Sequence, residues 1–168
     1  MNRITVSAPG KLMLFGEHAV LYGKPCVVTA VGQRMEVTVE LVNEDTFSLD
    51  ASDVQVIGYK KRITEIGSGD IPKGAKFIEI AIANFAKKYK VKQGIKVTTS
   101  SEFSSQFGFG SSSAVTVCVL KGLSTLTGIR FSNKQLFDIA YKVVLDIQKK
   151  GSGFDVAAAI YGGTIYFV

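Results

Sequence analysis

The chain has 168 residues, 46% apolar and 20% charged, which is typical of a folded domain and excludes a largely disordered chain. Its 20 Lys+Arg against 14 Asp+Glu give a formal charge of +6, which suits anionic partners such as nucleotides, phosphorylated metabolites or nucleic acid. Two distant cysteines, Cys26 and Cys118, fit neither a disulfide scaffold nor a cysteine-based zinc site. Without a signal-peptide stretch or a bilayer-spanning apolar run, we expect a cytoplasmic protein with no membrane partner.

The first part of the chain predicts mainly strands. Turn signals at Ala8-Pro9-Gly10 separate two short strand candidates, residues 3–7 and 12–15. Apolar and polar residues alternate over 33–42, the pattern of a half-buried strand. Weaker strand candidates cover 46–49 and 54–58, and the Gly- and Pro-rich stretch 66–74 predicts a loop.

Helices dominate the second part. Apolar residues at helical spacing from Phe77 to Tyr89 predict a helix. Lysines follow at its C-terminus, where positive charge interacts favourably with the helix dipole. A strand is predicted over 94–99 and a buried helix over 112–126. Ser132 with Gln135 forms a capping-box pattern that predicts the start of a third helix. A short helix at 154–161 and a strand at 164–168 complete an α+β fold, because strands come mainly first and helices later.

The most informative segment runs from Ser101 to Ala114, Ser-Glu-Phe-Ser-Ser-Gln-Phe-Gly-Phe-Gly-Ser-Ser-Ser-Ala, between a predicted strand and a long helix. Its glycines allow close backbone approach, and unpaired N–H groups at the helix start favour an anion such as a polyphosphate. It is neither a Walker A loop nor a dinucleotide fingerprint, since no Gly-Lys-Ser/Thr follows and Ser113 takes the third glycine position. The alternative is a Ser/Gly turn that only caps a helix.

Two further segments carry chemical side chains. Lys11, Glu17 and the single histidine, His18, lie between strand and turn signals, and Lys11 follows a Pro-Gly turn that could direct its ammonium into a cleft. Asp155 follows a Gly-Ser-Gly bend at the start of a short helix, where a carboxylate could orient or deprotonate a hydroxyl. The alternatives are a solvated lysine, a structural histidine and an aspartate that stabilises a helix N-terminus.

The order, content and spacing of these three segments resemble the GHMP kinases over nearly the whole chain. The first segment is similar to the mevalonate kinases in Gly16-Glu17-His18-Ala19-Val20, whereas the last, around Asp155, is similar to the phosphomevalonate kinases. The resemblance implies a kinase that transfers the γ-phosphoryl group of ATP, with Mg²⁺, to a small-molecule alcohol. We expect mevalonate, in isoprenoid biosynthesis, with phosphomevalonate or a sugar as the alternative acceptor.

The resemblance also implies a domain organisation. Residues 1–168 would form the N-terminal, ATP-binding domain, with a mixed or antiparallel sheet packed against helices. The C-terminal domain of the family has no counterpart in this chain. The chain resembles an N-terminal half, either a piece of a longer protein or one part of a split enzyme. As partners we expect a polypeptide that supplies the C-terminal half or a second copy in a homodimer.

The resemblance assigns roles to individual residues. Asp155 would accept the proton of the substrate hydroxyl, and Lys11 would lower the pKa of that hydroxyl and stabilise the developing charge. Glu17 and His18 would lie near the acceptor, and Ser112 would coordinate Mg²⁺. The residues expected to contact the nucleotide are Ser101, Gln106, Phe107, Gly108, Phe109, Gly110, Ser111 and Ser112.

The chain departs from the family pattern at two places. In the loop, Ser104, Ser105, Phe109 and Ser113 stand where the family has other residues, and these small changes look tolerable. The upstream glutamate that binds Mg²⁺ is replaced by Val144. The nearest polar side chains are Asp146 and Gln148, of which we take Asp146 as the second metal ligand.

Two other classes of function stay open at this stage. A nucleic-acid-binding module would use the basic clusters Lys60-Lys61-Arg62 and 87–92, but neither belongs to a recognised docking motif, and we expect no nucleic-acid partner. A catalytically silent subunit that keeps the nucleotide loop is the other alternative.

Overall fold

The structure, a computed structural model, describes residues 2–91 and 93–168. In these residues, six strands form a single mixed sheet and four α-helices pack against it, which confirms the α+β prediction. The strands are β1 (Arg3–Phe15), β2 (Cys26–Val42), β3 (Thr46–Ala51), β4 (Val56–Arg62), β5 (Gly94–Ser101) and β6 (Thr164–Phe167). The helices are α1 (Lys76–Tyr89), α2 (Ser111–Leu126), α3 (Asn133–Gln148) and α4 (Phe154–Tyr161).

The long strand β2 organises the sheet, whose order is β1-β2-β5-β3-β4 with β6 also paired to β2. β1 runs antiparallel along one edge of β2. The other edge is shared, since β5 pairs with the C-terminal half of β2 and β6 with its N-terminal end. Only the β3–β5 pair is parallel among the strand pairs of the described chain.

The prediction of two short strands around Ala8-Pro9-Gly10 is wrong. β1 is one continuous strand, with a register shift between Pro9 and Lys11. Proline lacks the N–H that a central strand needs, but β1 lies at the end of the strand order, where that loss is tolerated. β2 also begins at Cys26, well before the predicted start at residue 33.

Helix α2 is the centre of the hydrophobic core. It packs against β1 and β2 on one side and contacts all three other α-helices. At Gly122 an added Cβ would lie 2.8 Å from Val39 Cγ2, so the absence of a side chain lets the helix approach β2. This packing fixes the N-terminus of α2 beside β1 and the start of α4.

The predicted capping box of α3 is confirmed. The Gln135 backbone N–H donates to Ser132 Oγ at 3.2 Å, and the Ser132 N–H donates to Gln135 Oε1 at 2.9 Å. Cys26 and Cys118 are both free and buried.

Candidate active site

The glycine-serine loop connects β5 to the N-terminus of α2, where the sequence predicts it. Gly108 and Gly110 have φ of 71° and 77°, a region that favours glycine. The first helical hydrogen bonds are those of the Ser113 and Ala114 N–H groups to Gly110 O. The N–H groups of Ser111 and Ser112 have no intrahelical acceptor, and Gly110 offers no side-chain cap, so this helix start can bind an anion.

The loop is fixed directly onto β1. The Lys11 N–H donates to Phe109 O at 2.9 Å, and the Phe109 ring packs 5.9 Å from that of Phe103. A Cβ on Gly110 would lie 3.0 Å from Lys11 Cγ and 3.8 Å from Asp155 Cβ. The loop, the strand and the start of α4 therefore meet at one point.

Lys11 and Asp155, far apart in sequence, form an ion pair at that point. Lys11 Nζ lies 3.0 Å from Asp155 Oδ1 and 4.9 Å from the centroid of the Phe154 ring. Asp155 Oδ1 is buried and has no partner in hydrogen-bond geometry among the described residues, although 35% of the side chain as a whole is exposed. The carboxylate is therefore held by charge on one side and open to a ligand on the other.

Burial sets the protonation behaviour of this pair. Burial raises the pKa of the Asp155 carboxyl above its ordinary value, and the neighbouring Lys11 ammonium offsets part of that rise. A carboxylate with a raised pKa is a stronger base, which suits acceptance of a proton from a hydroxyl. Lys11 supplies the positive charge that keeps it ionised.

A cavity of about 580 Å³ adjoins the loop. Ser111 and Ser112 of α2 and Gln106 of the loop line it, so the cavity reaches the N-terminus of α2. Its other walls come from distant parts of the chain and are largely apolar. The remaining lining residues are Met35, Asp53, Val54, Gln55, Lys73, Gly74, Phe77, Ile78, Thr99, Ser105 and Val115.

The family that this geometry suggests matches the sequence directly: the family described as GHMP kinases N terminal domain covers residues 76–163, more than half of the chain. The chain belongs to the GHMP kinase family. Residues 76–163 include both the glycine-serine loop and Asp155.

Individual GHMP kinases are similar along almost the entire chain. Mevalonate kinases from Pyrococcus furiosus and Thermococcus onnurineus are 33% and 32% identical to it over 172 aligned residues, which cover 98% of this chain and 52% of each relative. The crystal structure of Methanococcus jannaschii mevalonate kinase superimposes with a TM-score of 0.89 at 25% identity, over 98% of this chain and 53% of that one. The chain thus spans about half the length of the curated relatives it matches.

Other residues expected from the GHMP kinase resemblance form no side-chain hydrogen bond or ion pair with Lys11 or Asp155 within the described chain. Glu17 and His18 are exposed in the turn after β1, and His18 makes no side-chain capping bond. Phe107 is 73% exposed at the tip of the loop. Ser101 shapes the start of the loop, because its Oγ donates to Phe103 O at 2.6 Å.

Asp146 is engaged elsewhere. It accepts hydrogen bonds from Asn84 Nδ2 at 2.8 Å and from Lys142 Nζ at 3.0 Å, and no contact links it to Ser112 in the described part of the chain. Nor do the described residues contain a group of three or more His, Cys, Asp or Glu side chains suited to a metal ion. The assignment of Asp146 to Mg²⁺ stays a prediction, and its ion pair with Lys142 argues against it.

The sequence analysis missed the far wall of the cavity. Thr99 Oγ1 donates to Asp53 Oδ1 at 2.6 Å, and Lys73 and Phe77 approach from a third segment. These residues belong to no motif, and only the Gly- and Pro-rich stretch before Lys73 signals an unusual backbone. Long-range packing, not local pattern, brings them together.

Lysines of the first basic cluster are less available to bind nucleic acid than the sequence indicates, because they form ion pairs within the chain. Lys60 pairs with Glu44 at 3.2 Å, and Lys61 pairs with the buried Glu79 at 2.8 Å. Lys92, in the second cluster, lies outside the described residues. No helix of the described chain is long and apolar enough to cross a membrane.

Proposed function

We propose that this chain carries the nucleotide-binding and catalytic residues of a kinase that transfers the γ-phosphoryl group of Mg-ATP to the hydroxyl of a small alcohol. The observation that carries the proposal is the position of the Lys11–Asp155 pair. The pair lies against Gly110, at the helix start where phosphates would bind. A base and a cation at this point are what phosphoryl transfer to an alcohol requires.

ATP fits the arrangement of the described residues. The cavity has apolar walls at Phe77, Ile78 and Val115 that suit a nucleobase, and it opens onto Ser111 and Ser112. Phosphates at the N-terminus of α2 would accept hydrogen bonds from the free backbone N–H groups of Ser111 and Ser112. The Ser112 hydroxyl would help to hold Mg²⁺, which takes much of its coordination from phosphates and water and neutralises phosphate charge.

The chemistry follows from the two side chains. Asp155 accepts the proton of the acceptor hydroxyl while the hydroxyl oxygen attacks the γ-phosphorus and the bond to the ADP oxygen breaks. Lys11 keeps the carboxylate ionised beforehand and offsets the negative charge that develops on the acceptor oxygen. Catalysis then depends on positioning and charge, with no covalent enzyme intermediate.

Mevalonate is the proposed acceptor, supported by the names of the relatives above. Glu17 and His18 are proposed to approach it from the turn after β1. The test is product analysis after incubation with Mg-ATP and one acceptor at a time: mevalonate, phosphomevalonate or galactose. We expect only mevalonate to be phosphorylated, and phosphorylation of another acceptor instead would contradict the substrate assignment while supporting the kinase.

The partner half is proposed to cover one exposed face of the sheet. Leu12 pairs with Thr29 and Phe15 with Val27, while Val27 and Thr29 pair with Tyr166 and Thr164, so these side chains share a face by register. Leu12, Leu14, Phe15 and Tyr166 are all exposed there. Apolar patches of this kind mark interaction sites, and a polypeptide equivalent to the other half of the relatives is the proposed occupant.

A further inference from the structure

Glu79 is a fully buried charged residue outside the candidate catalytic site. It lies on α1 with 0% exposure and accepts three hydrogen bonds: from Tyr59 Oη at 2.7 Å, Lys61 Nζ at 2.8 Å and the Gly67 N–H at 2.9 Å. Burial is the largest single influence on the pKa of Lys61 and lowers it, but the hydrogen bonds and charge interactions with Glu79 and Tyr59 together raise that pKa above its ordinary value, so the ammonium stays charged. A buried carboxylate is costly unless paired and hydrogen-bonded in this way.

These bonds fix a segment that we name the strap, residues 66–75 between β4 and α1. Lys61 Nζ also donates to Ser68 O at 2.6 Å. Gly67 has a φ of +80°, and a Cβ there would lie 2.8 Å from Ala83 Cβ, so the strap backbone is pressed against α1. At its other end, a Cβ on Gly74 would lie 2.8 Å from Val54 Cγ2.

The strap forms one wall of the 580 Å³ cavity. Lys73 and Gly74 line the cavity from the strap, and Phe77 and Ile78 line it from the first turn of α1, immediately before Glu79. Glu79 therefore joins the three elements, β4, strap and α1, whose relative positions decide the shape of that wall. A shift of the strap would move Lys73 and Gly74 with it.

We propose that Glu79 is a positioning residue for the nucleotide: by holding the Gly67 N–H, it fixes the strap as a wall of the cavity and thereby sets nucleotide affinity. The inference rests on the proposed function, because it assumes that the nucleotide occupies this cavity. The alternative is that Glu79 stabilises the fold and has no separate effect on binding.

Two double variants distinguish a role of Glu79 in nucleotide binding from a role in fold stability alone. Both Glu79→Gln/Lys61→Met and Glu79→Leu/Lys61→Met remove the buried charges, and such replacements often leave stability unchanged or increase it. They differ in polar contacts only, since the glutamine amide can still hydrogen-bond with the Gly67 N–H and with Tyr59 Oη, whereas leucine can bond with neither. The comparison therefore separates the effect of the hydrogen bonds made by residue 79 from the effect of the buried charges.

The readouts are the Kd of AMPPNP with Mg²⁺, the thermal midpoint and amide hydrogen exchange over residues 66–75. We expect the leucine double variant to bind about tenfold more weakly than the glutamine one, with faster exchange in the strap and a similar thermal midpoint. Equal affinities of the two would overturn the inference. A loss of affinity that only follows the thermal midpoint would also overturn it.

Gly67→Ala provides a second test should the leucine variant not fold. Its Cβ would push the strap from Ala83 at an exposed position while leaving Glu79 and Lys61 in place. We expect a similar loss of affinity, and unchanged affinity would overturn the inference. Failure of the unaltered chain to bind AMPPNP would instead overturn the proposed function itself.

Discussion

At the scale of single residues, the central feature is the Asp155 carboxyl, whose pKa is shifted in opposite directions by burial and by a neighbouring charge. Burial favours the protonated form of Asp155, and Lys11, 3.0 Å away, favours the charged form. Because burial is the larger influence, the folded-state pKa lies above the ordinary value. In the proposed mechanism Asp155 is the base and Lys11 is its counter-ion.

This balance predicts the titration of Asp155. Its carboxyl should titrate above the ordinary value of an aspartate, and Lys11→Met should raise the pKa further because it removes the influence that lowers it. Carbon-13 NMR of the Asp155 carboxyl in the two proteins measures both values directly. A pKa that falls in Lys11→Met would show that the two side chains do not interact as described.

The same shift predicts how stability depends on pH. The native state binds the Asp155 proton more tightly than the unfolded state does. Protonation of Asp155 therefore contributes its full amount to the free energy of unfolding below the unfolded-state pKa, and this contribution is lost as pH rises through the folded-state pKa. The difference in urea midpoint between Asp155→Asn and the unaltered chain should therefore move in favour of Asp155→Asn as pH rises through that window. A difference independent of pH would contradict the assignment of the shift.

At the scale of elements, the start of α2 depends on a glycine that touches the ion pair. Gly110→Val would place a Cβ at a φ of 77° and 3.0 Å from Lys11 Cγ, where we propose that phosphate binds. We expect the Kd of Mg-AMPPNP, measured by calorimetry, to rise at least about tenfold.

Gly128→Val is the matched control for this substitution. Gly128 also has a positive φ, 72°, but an added Cβ meets nothing within 4 Å there, at the far end of the same helix. It carries the same kind of backbone strain without reaching the loop. Equal affinities of the two variants would show that the loop does not bind phosphate.

Local patterns predicted the elements whose signals are local. The capping box of Ser132 and Gln135 marks the start of α3. Helix α4 has the predicted bounds, and the glycines that flank it, Gly153 and Gly162, both have positive φ. The continuous β1 was missed because Pro9 and Gly10 signal a turn, whereas pairing with β2 keeps the strand extended through a register shift.

The candidate site was predictable only in part, for the same reason. The loop and Asp155 are recognisable as motifs, yet the approach of Lys11 to Asp155 depends on the packing of α4 against β1. The pairing of Thr99 in β5 with Asp53, just after β3, depends on the alignment of these two neighbouring strands and leaves no local sequence signal. The buried Glu79 looks like any helical glutamate in the sequence.

At the scale of the whole molecule, an apolar sheet face is open while the chain spans about half the length of its relatives. Alone in solution, the chain should cover this face with a second copy and self-associate. We expect Leu14→Glu/Tyr166→Glu to return it to a monomer in sedimentation velocity. Ile57→Glu, at another exposed apolar residue on β4, should leave association unchanged.

Two outcomes would contradict the assignment of this sheet face as an interface. A chain that is monomeric throughout the concentration range, or that dissociates as readily with Ile57→Glu, would show that the face is not an interface. Leu14→Ser/Tyr166→Ser removes the same apolar side chains without adding charge and should also return the chain to a monomer, so charge repulsion is not needed for the effect.

The most direct measurement is ADP release from Mg-ATP with mevalonate, compared between the unaltered protein and Asp155→Asn, with AMPPNP affinity measured for both. Removing a general base typically costs about 10²–10⁴-fold in rate, and Asp155 is not among the residues proposed to contact the nucleotide. The account predicts that Asp155→Asn loses turnover and keeps its affinity for AMPPNP. Turnover retained in Asp155→Asn would contradict the account, since the carboxylate beside the loop would then have no part in the transfer.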